Sequence, residues 1–447
     1  MKIVIFGANE VGCLLATALF EDHDIIVIDK EENRLDDFKK LDISFIYGNG
    51  SNLEVLQQAQ IKEADVFIAC TNIDEGNIFA CLTVKKISDA KTVCFISKEE
   101  TLESLSLIKS SEYQEGLLID KIIWPEEILT EEIFRIITIP QAIRVENFAD
   151  EKARLTEYRI KENSKIINKK IKDCNFPNET LIVGITRDNH LFIPDGETIL
   201  ELNDKIIFMG SVGSLDILAS LFFKHIKTIK NASIIGGGSV GSMLAKKFEN
   251  IGIKTKLIEQ DYKQCEILSE LLKNTLILYG DGSNIELLKQ EDIGSSEVLI
   301  SVTNNDEKNL LCSLLAKQLG VEKVITRVSK ATNVCLFEKV GIDVAVSPRG
   351  SAINEIIHTV IENGVGILTT VEQGLGAILK FTLNKNFKDI KIMDLKLPKH
   401  SLIAIIQRGS RVIIPKGDTL VRSLDKLIVF TTEDNSDNVK EFFKTKI

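Results

Sequence analysis

Two apolar patterns alternate along this chain. Short apolar runs of strand length occur at Ile3–Phe6, Ile25–Ile28, Phe45–Tyr47, Val66–Cys70 and Val93–Ile96. A second set follows at Ser233–Ile235, Lys254–Ile258, Thr275–Leu278, Val298–Val302 and Val324–Val328. Between them, apolar residues recur at helical spacing, as Val240, Met243, Leu244 and Phe248 do. Strands alternating with amphipathic helices predict an α/β fold with a parallel sheet covered on both faces. Ligands of such sheets bind beyond the carboxyl ends of the strands.

Polar motifs fall at those strand ends. Gly236, Gly237, Gly238, Ser239, Val240 and Gly241 form G-x-G-x-x-G directly after the Ser233–Ile235 run, and the next strand ends in Glu259. Strand, glycine turn, helix, strand and acid at this spacing predict a dinucleotide-binding βαβ unit. Gly236 allows the tight turn, Gly238 leaves room for a pyrophosphate against the backbone, and Gly241 lets the helix pack closely. The helix N-terminus offers free N–H groups to phosphates, and Glu259 can accept from ribose hydroxyls. The first half repeats this grammar in Gly7, Ala8, Asn9, Glu10, Val11 and Gly12, with Asp29 as the acid.

The repeat extends further. Gly48-Asn49-Gly50-Ser51 matches Gly280-Asp281-Gly282-Ser283, and Thr71-Asn72-x-Asp74-Glu75-x-Asn77 matches Thr303-Asn304-x-Asp306-Glu307-x-Asn309. Both pairs are 232 positions apart, 48 to 280 and 71 to 303. Their chemistry suits either ligand contact or plain turns and caps. A different segment follows each α/β unit and is also duplicated. Arg187, Pro194, Gly196 and Thr198 recur as Arg408, Pro415, Gly417 and Thr419, and Asp204-Lys205 as Asp425-Lys426. Short strands with Gly/Asp/Pro turns predict small modules of hairpins with a helix. The joints Trp124-Pro125 and Ser347-Pro348 each precede a helical segment, and Phe222 to Asn231 is the expected hinge. The expected domains are therefore 1–125, 126–225, 230–348 and 349–447.

Composition narrows the function. The net charge of −10 argues against a nucleic-acid surface, which needs a basic patch. No apolar run approaches the ~20 residues of a bilayer span, so direct membrane insertion is not expected. Eight cysteines without C-x-x-C spacing read as reduced, mostly buried thiols rather than metal ligands. The five histidines are scattered.

The doubled order of glycine turn, acid, G-N/D-G-S, T-N-x-D-E-x-N and R-x-x-x-x-x-x-P-x-G-x-T resembles the bacterial Trk potassium-uptake regulatory subunit over nearly the whole chain. The resemblance implies two Rossmann-like doubly wound parallel sheets, each followed by a small α+β companion domain. It implies a cytoplasmic protein, peripheral on the inner membrane, that binds NAD(H), or ATP or ADP, without turnover. It would gate an integral-membrane potassium-translocating subunit, and a homodimer would supply a four-domain ring. Carried over by position, the second-half contacts are Gly236–Val240, Glu259, Asp281, Gly282, Thr303, Asn304 and Arg327. Arg327 is read as a bidentate phosphate clamp. In the first half Asp29, Asn49, Gly50, Thr71 and Asn72 fit, but Asn9 replaces a glycine and Phe95 stands where the second half has Arg327. Asparagine tolerates a left-handed backbone, so the turn is expected to survive. Its side chain is expected to fill pyrophosphate space, giving weaker or altered binding there.

An NAD-dependent oxidoreductase is the rival reading. Hydride transfer needs a substrate domain with an acid or base near the cofactor. The companion modules are short and turn-rich, and no His is matched between them. They remain open to binding a small effector or mediating dimer contacts. The client could also be another cation transporter.

Overall fold

The computed structural model describes residues 1–31, 38, 41–110, 119–139, 141–149, 151–162, 164–222, 229–361, 366–372 and 375–444. The expected hinge lies mostly outside them. Two compact units are present: residues 1–129 with 347–360, and residues 130–346 with 361–447.

In the first unit the strands are β1 (Lys2–Phe6), β2 (Asp24–Asp29), β3 (Ser44–Tyr47), β4 (Val66–Ala69), β5 (Lys91–Phe95) and β6 (Lys121–Ile123). Helices α1 (Glu10–Leu19), α2 (Leu53–Gln58), α3 (Asp74–Ile87) and α4 (Glu99–Ser110) connect them, and α5 (Pro125–Thr138) follows. The sheet is parallel throughout, in the order β3-β2-β1-β4-β5-β6. Its central strands are near-continuous apolar runs because both faces are covered. Val4, Phe6, Phe67 and Cys94 join Leu56 and Val84 in the core on one face. Strand order reverses between β1 and β4, which opens a crevice at their carboxyl ends.

The second unit contains the same sheet again. Strands β12 (Asn231–Ile235), β13 (Lys254–Glu259), β14 (Thr275–Tyr279), β15 (Val298–Ser301), β16 (Lys323–Arg327) and β17 (Val344–Val346) run in the order β14-β13-β12-β15-β16-β17. Helices α7 (Ser239–Asn250), α8 (Tyr262–Leu271), α9 (Ile285–Gln290), α10 (Asp306–Gln318) and α11 (Val334–Lys339) connect them, and α12 (Pro348–Ile361) follows.

The companion modules are antiparallel and share one topology. The first has β7 (Ala142–Phe148), β8 (Ala153–Arg159), β9 (Thr180–Arg187), β10 (His190–Phe192), β11 (Lys205–Ser211) and α6 (Val212–Phe222). The second has β18 (Gly366–Val371), β19 (Gly376–Thr382), β20 (Ile390–Lys391), β21 (Ser401–Arg408), β22 (Arg411–Ile413), β23 (Leu420–Val421), β24 (Lys426–Thr432) and α13 (Ser436–Lys444). Their sheets read β10-β9-β11-β8-β7 and β18-β19-β24-β21-β22. The repeated motif of these modules is a clamp. Arg187 Nε and Nη2 each donate to Asp204 at 2.8 Å, and Arg408 does the same to Asp425 at 2.8 Å. Both aspartate side chains are fully buried. A planar guanidinium meeting a carboxylate in two parallel bonds is the geometry that makes such burial tolerable.

A proline opens a helix after each parallel sheet, as its fixed φ favours. Each of these helices is held by a lysine on the fifth strand of a parallel sheet. Lys91 Nζ donates to the carbonyl of Thr359 in α12 at 3.1 Å, within the first unit. Lys323 Nζ donates to Ile136 of α5 at 3.1 Å and to Ala142 at 2.7 Å, within the second. Lys121–Glu355 at 2.7 Å and Lys247–Glu131 at 2.6 Å add ion pairs to the same helices. Burial under these carbonyls pulls the Lys323 amine down to about 7. Among the described residues no helix is long and apolar enough to cross a membrane.

Candidate functional site

Each glycine turn is set by backbone geometry. Gly7 and Gly236 leave β1 and β12 with φ of +120° and +106°, a region that favours glycine. A Cβ at Gly12 or Gly241 would strike the carbonyl oxygen of Gly7 or Gly236. The helix thus packs on the turn, and at Gly241 also against Ile234 of β12, 3.4 Å from where a Cβ would lie. Glu10 and Ser239 begin the helices, and Val11 and Val240 are buried beneath them.

The acid after the second strand braces the turn. Asp29 Oδ2 accepts from the Ala8 N–H at 2.5 Å, and Glu259 Oε2 from the Gly237 N–H at 2.7 Å. The other oxygens accept from Glu31 at 2.9 Å and Asp261 at 2.8 Å. Each oxygen has a second lone pair, so a ribose hydroxyl could still be bound.

The third position of the turn separates the halves. Gly238 has φ −70°, and a Cβ built there meets nothing within 4 Å. The turn therefore faces open space, as a phosphate cradle requires. Asn9 has φ −76°. The left-handed backbone expected for it is not needed, because this position is extended in both copies. Its side chain is committed elsewhere. Oδ1 accepts from Gly12 N–H at 3.1 Å and caps α1. Nδ2 donates to Cys70 O at 2.6 Å and Asn72 Oδ1 at 3.1 Å.

The loop after β3 or β14 carries Asn49-Gly50 or Asp281-Gly282. Asn49 accepts from the Ser51 N–H at 3.2 Å. Asp281 accepts from the Ser283 N–H at 2.9 Å and hydroxyl at 2.8 Å. These bonds, with Lys308 beyond, hold the Asp281 carboxyl below the usual aspartate range. Gly50 and Gly282 lie against Phe6 and Ile235, where a Cβ would collide.

Much of the T-N-x-D-E-x-N motif is consumed by the fold. Buried Asn77 accepts from the Thr71 hydroxyl at 2.6 Å and donates to Phe95 O at 2.9 Å. Asn309 repeats this with Thr303 at 2.6 Å and Arg327 O at 3.1 Å. Asp74 and Asp306 receive the N–H groups of Ser97 and Ser329, both at 3.0 Å. These residues tie the fourth strand to the fifth. Asn72 and Asn304 remain facing the crevice, and their partners differ. Asn304 Oδ1 accepts from Arg327 Nη1, whereas Asn72 Oδ1 accepts from Asn9.

Sequence reasoning passed over Lys308, whose Nζ reaches Gln260 at 2.7 Å and Asp281 at 3.1 Å. Its first-half counterpart is Gly76, so comparing charge between the copies would have found it. Gln264, which donates to Gly237 O at 2.8 Å, left no sequence signal. In the first half Gly7, Asn9, Asp29, Asn49, Thr71 and Asn72 line one cavity of about 240 Å³. The cysteines stand apart from this chemistry. All eight are free, five are buried, and burial pushes the Cys70 thiol far up.

Two parallel sheets in the 3-2-1-4-5-6 order, each with a glycine turn braced by an acid, define a duplicated Rossmann-type protein. The TrkA-N domain family matches residues 3–122 and 232–348, and the TrkA-C domain family matches 155–222 and 377–444. The chain is 37% identical over 456 residues to the Trk system potassium uptake protein TrkA homolog 1 of Methanosarcina mazei, covering 99% of this chain and 100% of that one. It is 30% identical to the Trk system potassium uptake protein TrkA of Vibrio alginolyticus, covering 96% and 95%. The chain therefore belongs to the TrkA family, as the motif order implied. A GsuK channel bound to NAD has the same fold, with a TM-score of 0.60 at 18% identity over 100% of this chain and 79% of that one. The GsuK RCK domain matches at 0.59 and 18%, covering 100% and 95%.

Proposed function

We propose that this chain is a cytoplasmic, nucleotide-sensing regulatory subunit. It gates a Trk-type potassium transporter by binding NAD(H), ATP or ADP without turning it over. The observation that carries this reading is the open face of Gly238, beside a turn braced by Glu259 and a crevice bearing Arg327 and Lys308. A diphosphate lies there against the N-terminus of α7 and two cations. Glu259, Asp281 and Asn304 complete the contacts. An acid at the ribose position disfavours a 2′-phosphate, which makes NADP the least favoured of these ligands. Domains at 1–125, 126–225, 230–348 and 349–447 would let a homodimer present four nucleotide domains in a ring. That ring sits on the cytoplasmic face of the integral-membrane potassium-translocating subunit. Ligand gates it only by binding one ring shape better than another. The companion modules spend their shared Arg–Asp pair on a structural clamp, which supports regulation over catalysis.

The test is a panel of NAD, NADH, ATP and ADP on the purified chain and on Gly238→Asp. A ligand at a hundredfold over its Kd stabilises the folded state by about 2.7 kcal/mol. Gly238→Asp should melt normally without ligand, since the position is open, and lose that stabilisation at the second site. Unchanged affinity by calorimetry would remove the site assignment. Steady NADH oxidation with a small substrate would favour an oxidoreductase, and unaltered potassium uptake in a deletion strain would remove the client.

A further inference from the structure

The first-half crevice lacks both cations of the second. Phe95 stands for Arg327 and Gly76 for Lys308. Lys30 lines its cavity, and a second cation, Arg349, stands at the start of α1, next to the lining residue Asn9. The guanidinium of Arg349, on the first turn of α12, pairs with the Glu10 carboxylate through Nη1. Glu10 is the first residue of α1 and follows Asn9 in the turn. The pair therefore sits at the helix N-terminus, where the turn would present a phosphate. It is not sealed: the two side chains are 48% and 34% exposed. Exposed pairs of this kind contribute only about 0–1 kcal/mol. A phosphate can accept two parallel bonds from the same guanidinium at higher charge. The backbone that carries Arg349 is fixed, because Lys91 and Lys121 hold α12 at Thr359 and Glu355.

We propose that Arg349 is the phosphate-recognising residue of the first site, with Glu10 as its resident competitor. This rests on the reading that the first half binds adenine nucleotides. A nucleoside di- or triphosphate enters the cavity with its ribose on Asp29, displaces the Glu10 carboxylate and takes the guanidinium. Because Arg349 belongs to α12, phosphate charge at the first site is read directly by that helix. The second site is built differently at the corresponding helix start. Ser239 replaces Glu10, and its cations come from its own sheet at Arg327 and from α10 at Lys308. An uncharged nucleoside would occupy the first cavity without engaging Arg349.

The experiment uses the full chain with Gly238→Asp to silence the second site, and calorimetry with ADP and with adenosine. Arg349→Gln should weaken ADP about tenfold or more and leave adenosine unchanged. Arg349→Lys should recover part of the loss, and Glu10→Gln should strengthen ADP severalfold. If the silenced chain binds ADP and Arg349→Gln leaves that affinity intact, the role of Arg349 is overturned while nucleotide binding in the first half stands. Equal losses for ADP and adenosine would mark Arg349 as a structural support and overturn it too. If the silenced chain binds neither ligand, both the first-site reading and this inference fall.

Discussion

The two glycine turns share a backbone and differ in charge. Gly7 and Gly236, Asp29 and Glu259, and Thr71–Asn77 and Thr303–Asn309 hold matching positions with matching bonds. What changed is the side of the crevice that meets a ligand. In the second half, Gly238 is bare and Asn304 holds Arg327. In the first, Asn9 performs two jobs: it caps α1 and takes over the partnership with Asn72. Asn72 thus keeps a partner in the copy that has Phe95 at the arginine's position. The scaffold is maintained by bonds made among themselves by Thr, Asn and Asp, so ligand chemistry could diverge over it without loss of fold.

The largest expected contrast is in stability. Lys323 donates to two carbonyls and its amine is pulled down to about 7, below the ordinary lysine range. The unfolded chain then binds more protons between pH 7 and the usual lysine pKa of about 10.4. Stability should rise with pH across that window, with a slope approaching about 1.4 kcal/mol per unit. Urea unfolding at pH 7 and 9 checks this. A Lys323→Met chain whose stability climbs as steeply as the parent's would refute it.

Next comes Gly241→Ala, whose methyl would meet the Gly236 carbonyl oxygen. It should cost about 1–3 kcal/mol, read as a lower denaturation midpoint, together with nucleotide affinity. Normal stability would show that α7 can slide. Arg327→Phe makes the second crevice resemble the first. It should weaken a diphosphate ligand about tenfold, the size of one charged hydrogen bond, with little change for adenosine. The smallest effect is Asn9→Gly. Losing the cap for glycine costs a few tenths of a kcal/mol, while the vacated turn should bind ADP severalfold more tightly. No gain would place the restriction at Phe95 or Glu10 instead of Asn9.

Much of this was readable in the chain. Apolar runs placed the ten principal strands of the two parallel sheets because buried parallel strands are continuous hydrophobic segments. The glycine turns were readable because positive φ and close packing exclude other residues. Asn9 was misread in backbone, since Asn suits both a left-handed turn and an N-cap. The T-N-x-D-E-x-N motif was ambiguous for a related reason: the same side chains suit ligands and strand ties. Lys308 required the two copies to be compared by charge. Arg349 lies 339 residues from Glu10, and no local pattern announces a pairing over that distance.

The assignment of 347–360 to the compact unit of residues 1–129 constrains how this chain can be divided. A polypeptide severed near its midpoint would not yield two self-sufficient pieces. The amino-terminal piece would lack the segment that Lys91 and Lys121 grip, and the carboxyl-terminal piece would lack the end of α5 beneath Lys323. The ancestral duplication is in that sense irreversible: each copy finishes the other, and fission would have to preserve both exchanges at once.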